Sequence, residues 1–307
     1  MMKHIPVLAD KLVQIVPLEK KGIYVDGTYG LGGHSKTLLK KKKDIKIIGI
    51  EIDKYIYEEA LKEKPSQVVL FNDSFINFDF ILASLSITGI NGILIDLGLS
   101  SLHCEKPEYG FSYSKDSPLD FRFDRNSSLT AEEIINSYSE EELNRIFKEF
   151  GEEKFYKKIS KEIVRKRKKE RIKTSKQLVE ILKKILPKKY GYPLKGITRV
   201  FQALRIEVNK ELENLTIFLE KIKKWILPEG WIAIISYHSL EDKIVKNYFS
   251  KYTKKCICPP DSPICTCGIK QKFEWVGKKK YKPSKEEVEN NPRSRSAILR
   301  VIKKIGR

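Results

Sequence analysis

The chain has 307 residues, 41% of them hydrophobic, which is enough for one large domain or a domain with an insert. It has no apolar run near the ~18 residues a membrane span needs, and its Met1 to Pro6 start lacks a signal-peptide core, so the expected compartment is the cytoplasm. The net charge of +20 is concentrated: residues 151–200 carry 18 Lys/Arg against 5 Asp/Glu, and residues 270–307 carry 13 against 4, which favours a polyanionic partner over a pair of solvated Lys-rich helices.

Through the first hundred residues apolar runs alternate with helical patterns. Strands are predicted at Gly22–Asp26, Ile45–Ile50, Val68–Phe71 and Gly92–Asp96. Helices are predicted at Ser35–Lys40, Lys54–Glu63 and Phe75–Ser86. This alternation implies an α/β fold, a parallel sheet with crossover helices that binds ligands at the carboxyl ends of its strands. From Thr130 to Ile185 the pattern is helical, and Gly151 is the one glycine. Thr130 and Ser139, each followed by acids, read as helix starts. Ile159, Ile163 and Val164, then Leu178, Ile181, Leu182 and Ile185, follow helical spacing. A single long helix is predicted from Thr198 to Trp225, closed by Pro228-Glu229-Gly230. Trp231–Ser236 and Ala297–Ile302 read as later strands. The expected division is a sheet domain of residues 1–112 and 205–307, interrupted by a helical insert of residues 113–204.

The first strand runs into Asp26-Gly27-Thr28-Tyr29-Gly30-Leu31-Gly32-Gly33-His34. Glycines let a backbone approach a ligand closely, and the following helix offers free N–H groups. The acid ahead of the glycines differs from a dinucleotide fingerprint and is typical of class I methyltransferases. The sulfonium and ammonium of S-adenosylmethionine gain from a nearby carboxylate. Glu51 and Asp53 end the second strand, where a carboxylate can accept both ribose hydroxyls of a nucleoside cofactor. Asn72-Asp73-Ser74-Phe75 follows the third strand, at the place for adenine. Asp96-Leu97-Gly98-Leu99-Ser100-Ser101 follows the fourth, at the place for the transferred methyl. Singly, each acid reads as a turn or cap residue; four candidates at four successive strand ends read as a site.

Several segments together resemble the RsmH (MraW) family of small-subunit ribosomal RNA methyltransferases. They are His4-Ile5-Pro6-Val7-Leu8, Asp26 to His34, Asp96 to Ser101, Gly110-Phe111-Ser112-Tyr113, Phe201 to Ile206 with Val208-Asn209, Ser236 to Asp242, and Arg293 to Ala297. The resemblance implies a class I methyltransferase fold with a helical insert and S-adenosylmethionine as donor. It also implies methylation of the exocyclic N(4) of a decoding-centre cytidine in 16S ribosomal RNA. By position, it places Gly32, Gly33, His34, Asp53, Phe75 and Asp96 at the cofactor, with Asp26 and Glu51 as neighbours. His103, expected to contact the cofactor, stands where the family often has Gln, Tyr109 where it has Arg before Gly-Phe-Ser, and Lys195-Gly196-Ile197 where it has His-Pro-Ala.

The chain lacks the Asp/Asn-Pro-Pro-aromatic motif of many amino methyltransferases. Asp96, with Ser100, is therefore the expected acceptor for the amino protons, while Tyr237 and His238 are expected to stack on or orient the base. For His238 a purely structural hydrogen bond is the competing reading. Arg165, Lys166, Arg167, Lys168, Lys169 and Arg171 are the expected phosphate contacts, joined by Arg205, Asn209, Arg293 and Arg295 from the matched segments. Cys256, Cys258, Cys265 and Cys267 form two Cys-x-Cys pairs with the spacing of a structural zinc site, with thiols or disulfides as alternatives. The expected partner is 16S ribosomal RNA within the small subunit; monomer and homodimer both remain open. A competing reading is a non-enzymatic ribosome-assembly factor that uses the cofactor structurally; another is a methyltransferase for a different nucleobase.

Overall fold

In the computed structural model the described residues are 6–112, 116–187, 191, 193–256, 267 and 271–306. The four predicted N-terminal strands are present as β1 (Ile23–Asp26), β2 (Lys46–Glu51), β3 (Val68–Asn72) and β4 (Ile90–Asp96). With β5 (Ile226–Ser236), β6 (Phe273–Trp275) and β7 (Ile298–Lys304) they form one sheet of order β3-β2-β1-β4-β5-β7-β6. Strands β1 to β5 pair in parallel, and β7 runs antiparallel to β5 and β6. That arrangement is the class I, Rossmann-like methyltransferase fold. The order reverses between β1 and β4, the point where open α/β sheets hold ligands. Every β2 residue after Lys46 is buried, as a strand covered on both faces requires.

The helices in chain order are α1 (Ala9–Ile15), α2 (Gly33–Lys41), α3 (Lys54–Glu63), α4 (Phe78–Ser84), α5 (Ser101–Glu105), α6 (Ala131–Ser137), α7 (Glu140–Glu149), α8 (Tyr156–Arg167), α9 (Ser175–Ile185), α10 (Leu194–Asn209), α11 (Glu211–Ile222), α12 (Ser239–Thr253) and α13 (Lys285–Asn290). The two anticipated helix starts hold: Thr130 Oγ1 accepts from Glu133 N, and Ser139 with Glu142 forms a reciprocal capping box at α7. One expectation fails. The helix predicted over Thr198–Trp225 is two helices, broken at Lys210, whose φ of +50° is left-handed. Leu204 and Val208 before the break and Leu215 and Phe218 after it are all buried, so the apolar pattern runs on while the backbone turns.

The chain forms two compact units, residues 1–98 with 214–307, and Leu99–Glu213. The limits differ from those expected at 112/113 and 204/205, for two reasons. His103 and Phe111 pack with Phe123 in the second unit. At the other limit, the Asn209 amide donates to the Phe121 carbonyl and its oxygen accepts from Phe123 N, tying the end of α10 to the same loop. The second unit has its own core, centred on Ile134, Leu143, Ile146, Phe147, Leu178 and Leu204. The first unit packs apolar side chains on both faces of the sheet.

Candidate active site

The site is built at the carboxyl ends of β1, β2, β4 and β5, all in the first unit. Strand β1 ends at Asp26, only 1% exposed. Ser35 Oγ donates to Asp26 Oδ2 at 2.6 Å. Asp26 Oδ1 is buried with no hydrogen-bond partner among the described residues. Burial raises the Asp26 pKa, and the His34 imidazole opposes that rise. A buried carboxylate oxygen in want of a donor fits the ammonium or sulfonium end of a cationic ligand.

The loop after Asp26 needs its glycines. Gly30 and Gly32 have φ of +54° and +75°, and a Cβ on Gly32 would lie 2.4 Å from the Tyr29 hydroxyl. The Tyr29 ring also fills the space at Gly49 in β2, where a Cβ would meet it at 2.6 Å. At Gly30 a Cβ would meet nothing within 4 Å, so this side of the loop is open to a ligand.

Glu51 closes β2 on the loop. Its carboxylate accepts from Gly30 N and Asp53 N, each at 2.9 Å. Burial pushes its pKa from the ordinary 4.5 up to about 7. The neighbouring Asp53 caps α3, accepting from Ile56 N at 3.1 Å. Because the folded state binds the Glu51 proton more tightly than the unfolded state, this group stabilises fully below about pH 4.5 and loses that contribution as pH rises through about 7. Denaturant unfolding at pH 5 and pH 8 is therefore expected to show a larger stability loss in the wild type than in Glu51→Gln, by up to a few kcal/mol. Equal losses would show that Glu51 does not titrate in this range.

Asp96 closes β4. Its N–H donates to Thr28 Oγ1 at 2.7 Å, and its Oδ1 accepts from Gly98 N at 3.3 Å. The Tyr237 phenol, just past β5, donates to the Asp96 carboxylate; burial first and Asp96 second raise its pKa well above 10. His34 Nε2 lies 2.9 Å from the Val7 carbonyl, which can only accept, so Nε2 carries the hydrogen. His34 Nδ1 then faces Asp96 Oδ2 at 4.0 Å. Asp26, Glu51, Asp53 and Asp96 thus line one sheet edge, a carboxylate-rich setting for a cation.

The sequence profile of the MraW methylase family matches residues 1–305. The chain belongs to the MraW methylase family. Ribosomal RNA small subunit methyltransferase H of Caldicellulosiruptor saccharolyticus is 46% identical, over 99% of this chain and 100% of that one. The Clostridium botulinum (strain Loch Maree / Type A3) protein of the same name is 46% identical over 99% of each chain, and that of Halothermothrix orenii 44% over 99% of each.

Within this member of the MraW methylase family, several expected site residues also have structural contacts. His238 is the N-cap of α12: its Nδ1 accepts from Glu241 N at 3.5 Å and its Nε2 faces Glu241 Oε1 at 3.0 Å. Nδ1 thus serves the capping box, the structural alternative, while Nε2 is buried with no hydrogen-bond partner among the described residues. Phe75 is half-buried and meets Phe218 edge-on at 5.6 Å. Asn72 spends its amide on the Glu51 and Ile52 carbonyls. Ser100 and His103 belong to the second unit. Ser100 caps α5, and His103 is buried among Tyr109, Phe111 and Phe123. The Arg125 guanidinium lies 4.3 Å over the Tyr109 ring, placing an arginine beside the position where the family pattern has one.

The basic block divides in the same way. Arg165 pairs with Glu162, Arg171 with Glu132 and Glu133, and Arg167 donates to the Ile135 carbonyl. Arg205 forms a two-pronged pair with Glu211 at 2.8 and 2.9 Å, and Asn209 holds the 121–123 backbone. Lys168, Lys169, Arg293 and Arg295 are exposed, and Lys166 is half-buried; none of them has a carboxylate partner among the described residues.

Sequence reading passed over three residues that hold the site together. Thr28 fixes the Asp96 backbone. Glu241, 1% exposed, accepts from Tyr237 N at 2.8 Å and so sets the strand end that carries the phenol; the His-x-x-Glu spacing was its signal. Arg300, 5% exposed, is held by Asp242 through two bonds of 2.7 and 2.9 Å, and a lone arginine inside an apolar strand run was the signal for a buried partner.

Of the cysteines, Cys258 and Cys265 lie outside the described residues. Cys256 and Cys267 Sγ are 3.7 Å apart, far beyond the ~2.05 Å of a disulfide and close to the ~3.8 Å edge of a tetrahedron with 2.3 Å zinc–sulfur bonds. Among the described residues no helix is long and apolar enough to cross a membrane.

Proposed function

We propose that this chain transfers a methyl group from S-adenosylmethionine to the exocyclic N(4) of a decoding-centre cytidine in 16S ribosomal RNA, acting in the cytoplasm. The observation that carries the reading is Asp96, whose backbone N–H is fixed by Thr28 and whose carboxylate is held by Gly98 N and Tyr237, on the same edge as the orphaned Asp26 oxygen, in a chain of the MraW methylase family.

Bound at this edge, S-adenosylmethionine supplies an electrophilic methyl on a cationic sulfur. Asp26 would hold the cationic part of the donor, Glu51 and Asp53 its ribose, Phe75 its adenine, with Gly32, Gly33 and His34 flanking it. The cytosine amino lone pair is delocalised into the ring, so the protein must orient the amine and take up a proton as the nitrogen pyramidalises. Asp96 is the acceptor for that proton. Tyr237 holds the Asp96 carboxylate in place and borders the base. The target base must leave its stack to reach the edge.

The helical unit is proposed to grip RNA. Its partnerless cations are the effective contacts, so Lys166→Glu/Lys168→Glu/Lys169→Glu is expected to weaken RNA binding about tenfold or more and to flatten its salt dependence. Reversal of Arg165 or Arg171, which already serve carboxylates, is expected to do less. Equal effects in a filter-binding titration would remove the distinction.

Zinc at Cys256, Cys258, Cys265 and Cys267 is proposed as a structural ion. Elemental analysis of untagged protein is expected to find about one zinc per chain; none found rejects the site.

The deciding experiment supplies labelled S-adenosylmethionine and small subunits from cells lacking the enzyme, then digests the RNA and identifies the labelled nucleoside. N(4)-methylcytidine at one decoding-centre position is expected. Label on another base would redirect the substrate, and cofactor and subunit binding with no transfer would favour the assembly-factor reading.

A further inference from the structure

The part of α11 from Thr216 onward and helix α12, both in the first unit, border an open groove of about 730 Å³, away from the carboxylate edge in sequence. Lys223, Lys224 and Lys251 line it, with Asn247 and Tyr252, and Glu220 is its one acid. The lysines are placed unusually. Lys223 and Lys224 lie in the turn just past the end of α11, and neither pairs with Glu220. Lys221, on α11 itself, does pair, with Asp79 at 3.1 Å. Lys223 instead donates to the Tyr252 hydroxyl at 3.1 Å and lies 5.1 Å over its ring, and Lys251 lies 5.6 Å over the same ring.

Two ammonium groups therefore converge on one aromatic ring. An exposed cation–π contact is weak, while a charge-assisted bond to a phosphate oxygen is stronger. The groove gathers three cations against one anion, and Asn247 adds an amide donor. We propose that this groove is a second RNA-binding site, taking sugar–phosphate backbone of the ribosomal RNA through Lys223, Lys224 and Lys251. It grips the substrate from the unit that holds the cofactor edge, independently of the basic block of the helical unit. The inference rests on the ribosomal RNA reading of the proposed function for its ligand class.

The test compares wild type with Lys223→Gln/Lys224→Gln/Lys251→Gln for binding to naked 16S ribosomal RNA across a KCl series, with S-adenosylmethionine affinity and thermal midpoint as controls for folding. The expected result is an RNA affinity lower by about tenfold and a log–log salt slope shallower by about 2, with donor affinity unchanged. Unchanged RNA affinity and slope would overturn the site. Weakened binding to small subunits with unchanged binding to naked RNA would also overturn it, because the groove would then face a protein. A wild type that binds RNA and responds to the groove substitutions but transfers no methyl would sink the enzymatic reading and leave the groove standing. A wild type that methylates, beside an indistinguishable groove variant, would sink the groove alone.

Discussion

Asp96→Asn is expected to slow methyl transfer by about 10²–10⁴-fold, the range for removing a positioned proton acceptor, while S-adenosylmethionine still binds. The substitution keeps the size of the side chain and an oxygen for the Gly98 N–H and the Tyr237 phenol. It removes the charge that can receive a proton from the attacking amine. Single-turnover transfer and calorimetric donor binding separate the two effects. A rate within a few-fold of wild type would take Asp96 out of the chemistry, and loss of donor binding equal to the loss of rate would make it a cofactor ligand only. Tyr237→Phe is the companion: it frees the carboxylate without neutralising it, so its effect on rate is expected to be smaller than that of Asp96→Asn.

Asp242→Ala is expected to be the most damaging single change to stability outside the apolar core, costing about 3–5 kcal/mol. Arg300 sits in β7 at 5% exposure, and Asp242 on α12 is the carboxylate that neutralises it. Without it the guanidinium still donates to the Lys279 carbonyl at 2.7 Å but is a buried charge with no counterion among the described residues. Arg300→Met in the Asp242→Ala background is expected to recover part of the loss, because it removes the stranded charge as well as its partner. Urea unfolding of the three proteins reads both effects. No recovery would mean that the pair acts through specific geometry between α12 and β7 rather than through charge.

The parallel strands are readable because burial on both faces leaves uninterrupted apolar runs, and the carboxyl ends of those runs mark Asp26, Glu51, Asp53 and Asp96. What sequence hid was partnership. Arg171 lies far along the chain from Glu132 and Glu133, so a count of basic residues treats it as free when it is paired. Asn209 looked like an RNA contact for the same reason, and its amide is spent on a loop near residue 121. The break at Lys210 was invisible because a single left-handed residue leaves the apolar period intact. Sequence leaves His238 ambiguous between base contact and cap, and the position of Glu241 shows that Nδ1 serves the cap.

The pairing of β4 with β5, Asp96 opposite Ile235, joins two stretches of chain separated by the entire helical unit. During synthesis β4 leaves the ribosome as an open sheet edge and stays so until residues beyond 226 follow. The helical unit, whose contacts are largely between neighbouring helices, closes a core of its own in that interval. The carboxylate edge is consequently completed late: the Asp96 carboxylate gains its Tyr237 donor only once the strand beyond the insert has docked. A nascent chain interrupted within the insert would carry the glycine loop and its acids without the element that completes them, and with an unpaired apolar strand exposed to aggregation.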